Sequence, residues 1–170
     1  LADLDLPEEG VLWDLGAGVG SVGLEAIRLR PKLKLLAVEK RTGGAEIIKT
    51  NAKNLKVNPT AIIEEEALKL IKSNNIPPSL KEPNRVLVGG CGKDRIALLN
   101  AVLEKLSPKG LIVIPLANFE ALAHLRPHLE ELGCSVSVSQ HQSWRGTPLS
   151  QGTRFSPMNP VLILKAIKNN

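Results

Sequence analysis

The chain has 170 residues and a mass of 18.3 kDa, the size of one domain and enough to bury a core. With 43% hydrophobic and 23% charged residues it is not a disordered chain, and 22 Lys and Arg against 17 Asp and Glu leave a net charge of +5 that suits an anionic partner. Aromatics are confined to Trp13, Phe119, Trp144 and Phe155, too few for a platform that stacks single-stranded bases, so no nucleic acid is expected as partner.

No apolar run approaches the roughly 18 residues of a membrane span, and no membrane partner is expected. Cys91 and Cys134 form neither a C-x-x-C pair nor a zinc spacing, which reads as reduced thiols in the cytoplasm. The first residue is Leu1 rather than Met, and little chain precedes Asp14. We therefore expect residues 1–170 to be a single domain lacking an N-terminal segment or excised from a longer chain.

Residues 11–14 read as a short strand, followed by the glycine turn 16–20 and a helix opened by Ser21 as its cap and stopped by Pro31. Residues 33–39 form a second strand, mostly apolar, as a strand covered on both faces should be. Residues 44–55 carry Ala45, Ile48, Ala52 and Leu55 at helical spacing. Residues 60–65 are a third strand and 67–74 a short helix; Pro77, Pro78 and Pro83 mark a loop. A fourth strand at 85–89, a helix at 96–106 and a fifth strand at 111–116 follow. A helix at 119–132 should kink or split at Pro127 and close at Gly133. Residues 135–144 are a sixth strand, 145–159 a Gly/Pro loop, and 161–167 the last strand. Strand and helix alternate five times before two strands follow one another. That order predicts an α/β fold: a Rossmann-like, seven-stranded, mostly parallel sheet with an antiparallel C-terminal edge hairpin and helices on both faces.

In such a sheet ligands sit at the carboxyl ends of the strands. The first strand ends in D-x-G-x-G-x-G, with Asp14, Gly16, Gly18 and Gly20 at its fixed positions. A pyrophosphate-binding turn needs G-x-G-x-x-G, and its third glycine would fall on Ser21. Asp14 would repel a pyrophosphate but can accept from a cationic amino group, and Glu39, ending the second strand, can accept from both ribose hydroxyls of an adenosine. The combination points to S-adenosyl-L-methionine rather than a nicotinamide cofactor. It resembles the first two motifs of the class I methyltransferases that use this cofactor.

Residues 12–25 and 88–93, together with Arg145-Gly146, Thr153-Arg154 and Asn159-Pro160-Val161, resemble more narrowly the decarboxylating precorrin methyltransferases of cobalamin biosynthesis. The resemblance covers essentially the whole chain. It implies methylation of C15 of a precorrin, an anionic tetrapyrrole, coupled to decarboxylation of its C12 acetate. It also implies a C5-methylating subunit or domain as partner, a homotetramer, and a helical N-terminal segment that this chain lacks. Around the cofactor it places Asp14, Gly16, Ala17, Gly18, Gly20, Ser21, Glu39 and Lys40, then Glu66 and Ala67 near the adenine, and Gly89 and Gly90 at the cleft mouth. Arg145 and Arg154 are the first candidates to hold substrate carboxylates, with Lys93 and Arg95 next and Asn118 lining the cleft. Trp144 packs either on the macrocycle or on the sheet. His124 and His128 lack a metallohydrolase pattern, so no metal is expected. The rival reading is a tRNA methyltransferase with a related catalytic domain, which the basic charge allows.

Overall fold

A computed structural model of the chain describes residues 1–89 and 94–169. The elements in order are β1 (Glu9–Leu15), α1 (Ser21–Leu29), β2 (Lys32–Val38), α2 (Gly44–Leu55), β3 (Ala61–Ile63), α3 (Ala67–Ser73), β4 (Arg85–Val88), α4 (Arg95–Lys105), β5 (Leu111–Leu116), α5 (Phe119–Glu131), β6 (Cys134–His141), β7 (Trp144–Leu149), β8 (Gly152–Pro157) and β9 (Val161–Lys168), with single 3-10 turns at Ala2–Leu4 and Pro78–Leu80.

Seven strands make one sheet in the order β3-β2-β1-β4-β5-β9-β6. β1, β2, β3, β4 and β5 run parallel, and β9 pairs antiparallel with both β5 and β6. The chain therefore winds outward from β1 in one direction through β2 and β3, and in the other through β4 and β5. The reversal between β1 and β4 opens a crevice at their carboxyl ends.

The strands are apolar on both faces because helices cover both. Trp13, Leu15, Val38, Val86 and Ile112 face one core with Leu98, Leu99 and Val102 of α4 and Leu125 and Leu129 of α5. Leu12, Leu35, Ala37, Leu87 and Val113 face the other with Leu24 and Ile27 of α1 and Ile48 and Ala52 of α2. The Trp13 indole N–H donates to the Leu80 carbonyl at 2.7 Å, which satisfies its one polar atom inside the core. Lys168 on β9 donates through Nζ to the carbonyls of Leu103 and Leu106, each at 2.9 Å, so a cation closes the C-terminal end of α4.

Four local expectations are corrected. Ser21 does not cap α1: Gly20 is the cap residue, at φ +81°, and has no side chain to bond the helix end. Pro127 does not split α5, which runs unbroken from Phe119 to Glu131. Both Pro127 and Ala123, whose carbonyl loses its partner, face solvent, where water replaces the missing bond. The sixth strand ends at His141, and Trp144 belongs to β7. Finally, 145–159 is not a loop: β7 and β8 pair antiparallel as a separate two-stranded hairpin, because Thr147, Thr153 and Phe155 favour extended backbone around the turn at 150–151.

Candidate active site

Among the described residues the buried polar or charged side chains are Asp14, Glu39 and Ser107. Two of the three are the carboxylates singled out by the glycine motif, and burial without function would select against both. They sit on neighbouring strands at the crevice between β1 and β4.

The glycine turn is tied down by its own amides. Gly16 and Ala17 both donate to the Val38 carbonyl, at 2.8 and 2.9 Å, and Gly20 donates to Ala17. Gly18 donates to Glu39 Oε2 at 2.7 Å. At the start of α1 the Gly23 amide donates to Asp14 Oδ2 at 3.0 Å. These five amides are therefore already used and are not available to a pyrophosphate. Gly16 is required as glycine: its φ is +76°, and a β-carbon there would overlap the Gly89 carbonyl. The turn after β1 and the backbone after β4 thus meet with no side chain between them.

A cavity of about 380 Å³ opens beside this contact. Gly16, Gly18, Glu39, Lys40, Glu66, Ala67 and Gly89 line it, as do Leu15, Val38, Arg41, Glu65, Asp94 and Leu98. Glu39 has 5% of its surface exposed and turns its carboxylate to this space. Burial acts to raise its pKa, but the amides of Arg41 and Gly18 and the Arg41 guanidinium outweigh burial and hold it below the ordinary value. Gly44 makes the seat possible, since a β-carbon on it would stand 2.5 Å from Glu39 Cγ. Gly44, a poor helix former at the first position of α2, admits this side chain, whereas Gly43 before it has open space around it.

Asp14 is placed differently from Glu39. It lies beneath the turn on the α1 side, 2% exposed, and does not line the cavity. Burial lifts its pKa to about 6, against the lowering effect of the Gly23 amide, with the Glu39 charge adding to the rise. Gly23 is small for the same reason that Gly44 is: a β-carbon would stand 2.7 Å from Asp14 Oδ2. Ala17, Gly20 and Ser21 shape the turn from behind and are likewise off the cavity wall. Glu66 reaches the cavity, while its carboxylate caps α3 by accepting from Leu68 and Lys69 amides at 3.1 and 2.8 Å.

The substrate candidates lie away from this cavity. Asn118 does not line it; its side chain accepts from the Ala121 amide at 2.9 Å and caps α5. Arg145 and Arg154 are exposed on the β7–β8 hairpin, which leaves the sheet at the carboxyl end of β6 and returns into β9. The pairing Arg145↔Ser156 and Thr147↔Arg154 puts both arginines on one face of the hairpin. Trp144 and Phe155 share the other face, and both are largely exposed. His141, exposed at the end of β6, lies 3.5 Å from Asp3. His128 pairs with Asn100, and Arg95 opens α4 half-buried. Gly90, Cys91 and Lys93 fall outside the described residues.

Sequence reasoning passed over Arg41, whose Nε lies 3.0 Å from Glu39 Oε1. Its position two residues after the strand-ending acid was the available signal. It also passed over Leu15, Val38, Asp94 and Leu98, which reach the cavity through the packing of β1, β2 and α4 around it, an arrangement that spacing does not encode.

The donor set suits an adenosine ligand without phosphate. A buried carboxylate stands at one wall, glycines allow close approach at the other, and Leu15, Val38 and Leu98 supply an apolar side. Comparison with known proteins agrees. A protein of Pyrobaculum aerophilum named "Probable cobalt-precorrin-6B C(15)-methyltransferase (decarboxylating)" is 33% identical over 168 residues, 98% of this chain and 83% of that protein. The precorrin-6Y C(5,15)-methyltransferase [decarboxylating] of a Sinorhizobium species is 28% identical over 91% of this chain but only 36% of its own length. The crystal structure of precorrin-6y C5,15-methyltransferase from Geobacter metallireducens superposes with a TM-score of 0.85 at 29% identity, over 98% of this chain and 85% of that one. The family model described as the precorrin methyltransferase domain matches residues 1–168, and the chain belongs to that family.

Proposed function

We propose that this chain is an S-adenosyl-L-methionine-dependent C-methyltransferase of cobalamin biosynthesis. It methylates C15 of a precorrin and decarboxylates the C12 acetate, releasing CO2 and leaving a methyl group at C12. The observation that carries the cofactor choice is the turn after β1. The amides of Gly16, Ala17 and Gly18 are spent on Val38 and Glu39, which leaves Glu39 facing the cavity as a diol acceptor and removes three donors that a pyrophosphate would use. When bound, the cofactor supplies an activated methyl group on a sulfonium.

The chain's own residues then have three tasks. Glu39 accepts from the ribose hydroxyls and fixes the cofactor along β2. The Ala67 backbone and Glu66 border the adenine end, and Gly16 and Gly89 let the sulfonium end approach the cleft between β1 and β4. Methyl transfer to an electron-rich carbon is an in-line displacement, so orientation contributes most of the rate. Arg145 and Arg154, side by side on one face of the hairpin, hold the acetate and propionate groups of the macrocycle. The macrocycle itself accepts the electron pair left by the departing CO2. Asp14 orders α1 through the Gly23 amide and acts on the cofactor through the turn.

The whole-chain match to a tetrapyrrole-directed family sets aside the tRNA methyltransferase reading. Because the Sinorhizobium relative is much longer than the matched region, a C5-methylating domain or subunit is the expected partner. Among the described residues no helix is long and apolar enough to cross a membrane, and a cytoplasmic homotetramer is the expected form.

Mass spectrometry of precorrin-6B incubated with this chain and S-adenosylmethionine tests the reading. The expected product is heavier by one methylene and lighter by one CO2. An unchanged tetrapyrrole, with the same result from an N-terminally extended chain, defeats it.

A further inference from the structure

We propose that Arg41 is a specificity-setting residue that competes with the cofactor for Glu39, so that only a ligand presenting a ribose diol displaces it. The inference rests on the cofactor reading above and deepens it at one subsite.

An ionised carboxylate has about four acceptor positions, two on each oxygen. Three donors from the chain itself reach Glu39: the Gly18 amide at Oε2, 2.7 Å, and the Arg41 amide and Nε at Oε1, each 3.0 Å. One position remains, on Oε2. A ribose diol brings two O–H donors and needs two positions. The two backbone amides are fixed, one by the glycine turn and the other by the chain entering α2. The Arg41 guanidinium is the donor that can leave.

Arg41 also lies across the approach. Its Nη2 is 3.8 Å from the point a β-carbon of Gly18 would occupy, so the guanidinium bridges from β2 toward the glycine turn at the cavity edge. Its side chain is 61% exposed against 7% for Glu39. An ion pair with one partner so open to water is weak and readily exchanged. The result is a competitor strong enough to occupy Glu39 when no ligand is present, yet weak enough to yield to two hydroxyl donors. A ligand with a single ribose hydroxyl finds the one free position and leaves Arg41 in place. It gains nothing from displacing it.

Calorimetric titration of the folded chain with S-adenosylhomocysteine and with its 2′-deoxy analogue separates these cases, using wild type, Arg41→Ala and Arg41→Gln. For both variants the expected result is an affinity gain for S-adenosylhomocysteine of about two- to five-fold, the size of a surface ion pair removed from competition. The 2′-deoxy analogue should bind all three proteins alike. Weaker binding by the variants would make Arg41 a direct ligand contact and overturn the proposal. So would an equal gain for both ligands, which would report access alone, or no change for either. If wild type binds neither ligand, the cofactor reading itself fails, a result distinct from all of these.

Discussion

At the residue scale, the two buried carboxylates Asp14 and Glu39 have opposite electrostatics. Glu39 is surrounded by donors and held ionised, whereas Asp14 has one amide partner and an apolar setting that lifts its pKa to about 6. An acid whose folded pKa lies above its unfolded value favours the folded state when protonated. Its contribution is present in full below the unfolded value near 3.8 and is lost as pH rises through 6. Over that window the wild-type chain should lose roughly 3 kcal/mol relative to Asp14→Asn, which stays neutral and keeps an acceptor for Gly23. Urea melts of both proteins between pH 4 and 7.5 check this. A stability difference that does not vary with pH would show that Asp14 titrates normally.

At the element scale, helix starts are set by what they must admit rather than by helix propensity. Gly43 and Gly44 open α2, the first at φ +79° with open space around it, the second against Glu39. Propensity alone makes Gly44→Ala stabilising by about 1 kcal/mol. The contact with Glu39 Cγ predicts that it instead displaces the carboxylate and weakens S-adenosylhomocysteine binding by about tenfold. Gly43→Ala carries the left-handed strain of about 1 kcal/mol but should bind the ligand normally. Thermal melts and titration of the two variants distinguish the roles, and equal affinities would remove Gly44 from the positioning of Glu39. The same logic applies to α1, where Gly23 clears the way for Asp14 and Gly20 takes the cap that Ser21 was expected to fill.

At the scale of the whole molecule, the β7–β8 hairpin stands apart from the seven-stranded sheet. A lone two-stranded hairpin is marginally stable in water. Here one face carries two cations, and the other exposes Trp144 (55%) and Phe155 (72%). Under the proposal that the cationic face holds substrate carboxylates, the aromatic face would be the one to meet a second copy of the chain in the proposed homotetramer. In analytical ultracentrifugation the wild-type chain should sediment as the tetramer, and Trp144→Ser/Phe155→Ser as smaller species at the same concentration. A wild-type chain that is monomeric at tens of micromolar rules this assembly out.

The residues alone determined the α/β order, the parallel sheet and the glycine turn after the first strand. Those depend on short-range rules: apolar runs bounded by glycine and proline, and a glycine spacing two residues beyond an acid. Gly44–Leu55 and Leu111–Leu116 match their expected limits because periodicity and terminators coincide there. Position within the sheet was decided by tertiary structure. β9 entered between β5 and β6, Asp14 went under the turn while Glu39 faced the cavity, and Arg41 closed on Glu39. The hairpin at 144–157 also escaped the local reading, since its strands are short, polar on one face and rich in Gly and Pro. Which face a side chain takes, and which donor reaches a carboxylate first, depend on neighbours distant in sequence, and spacing along one chain carries no record of them.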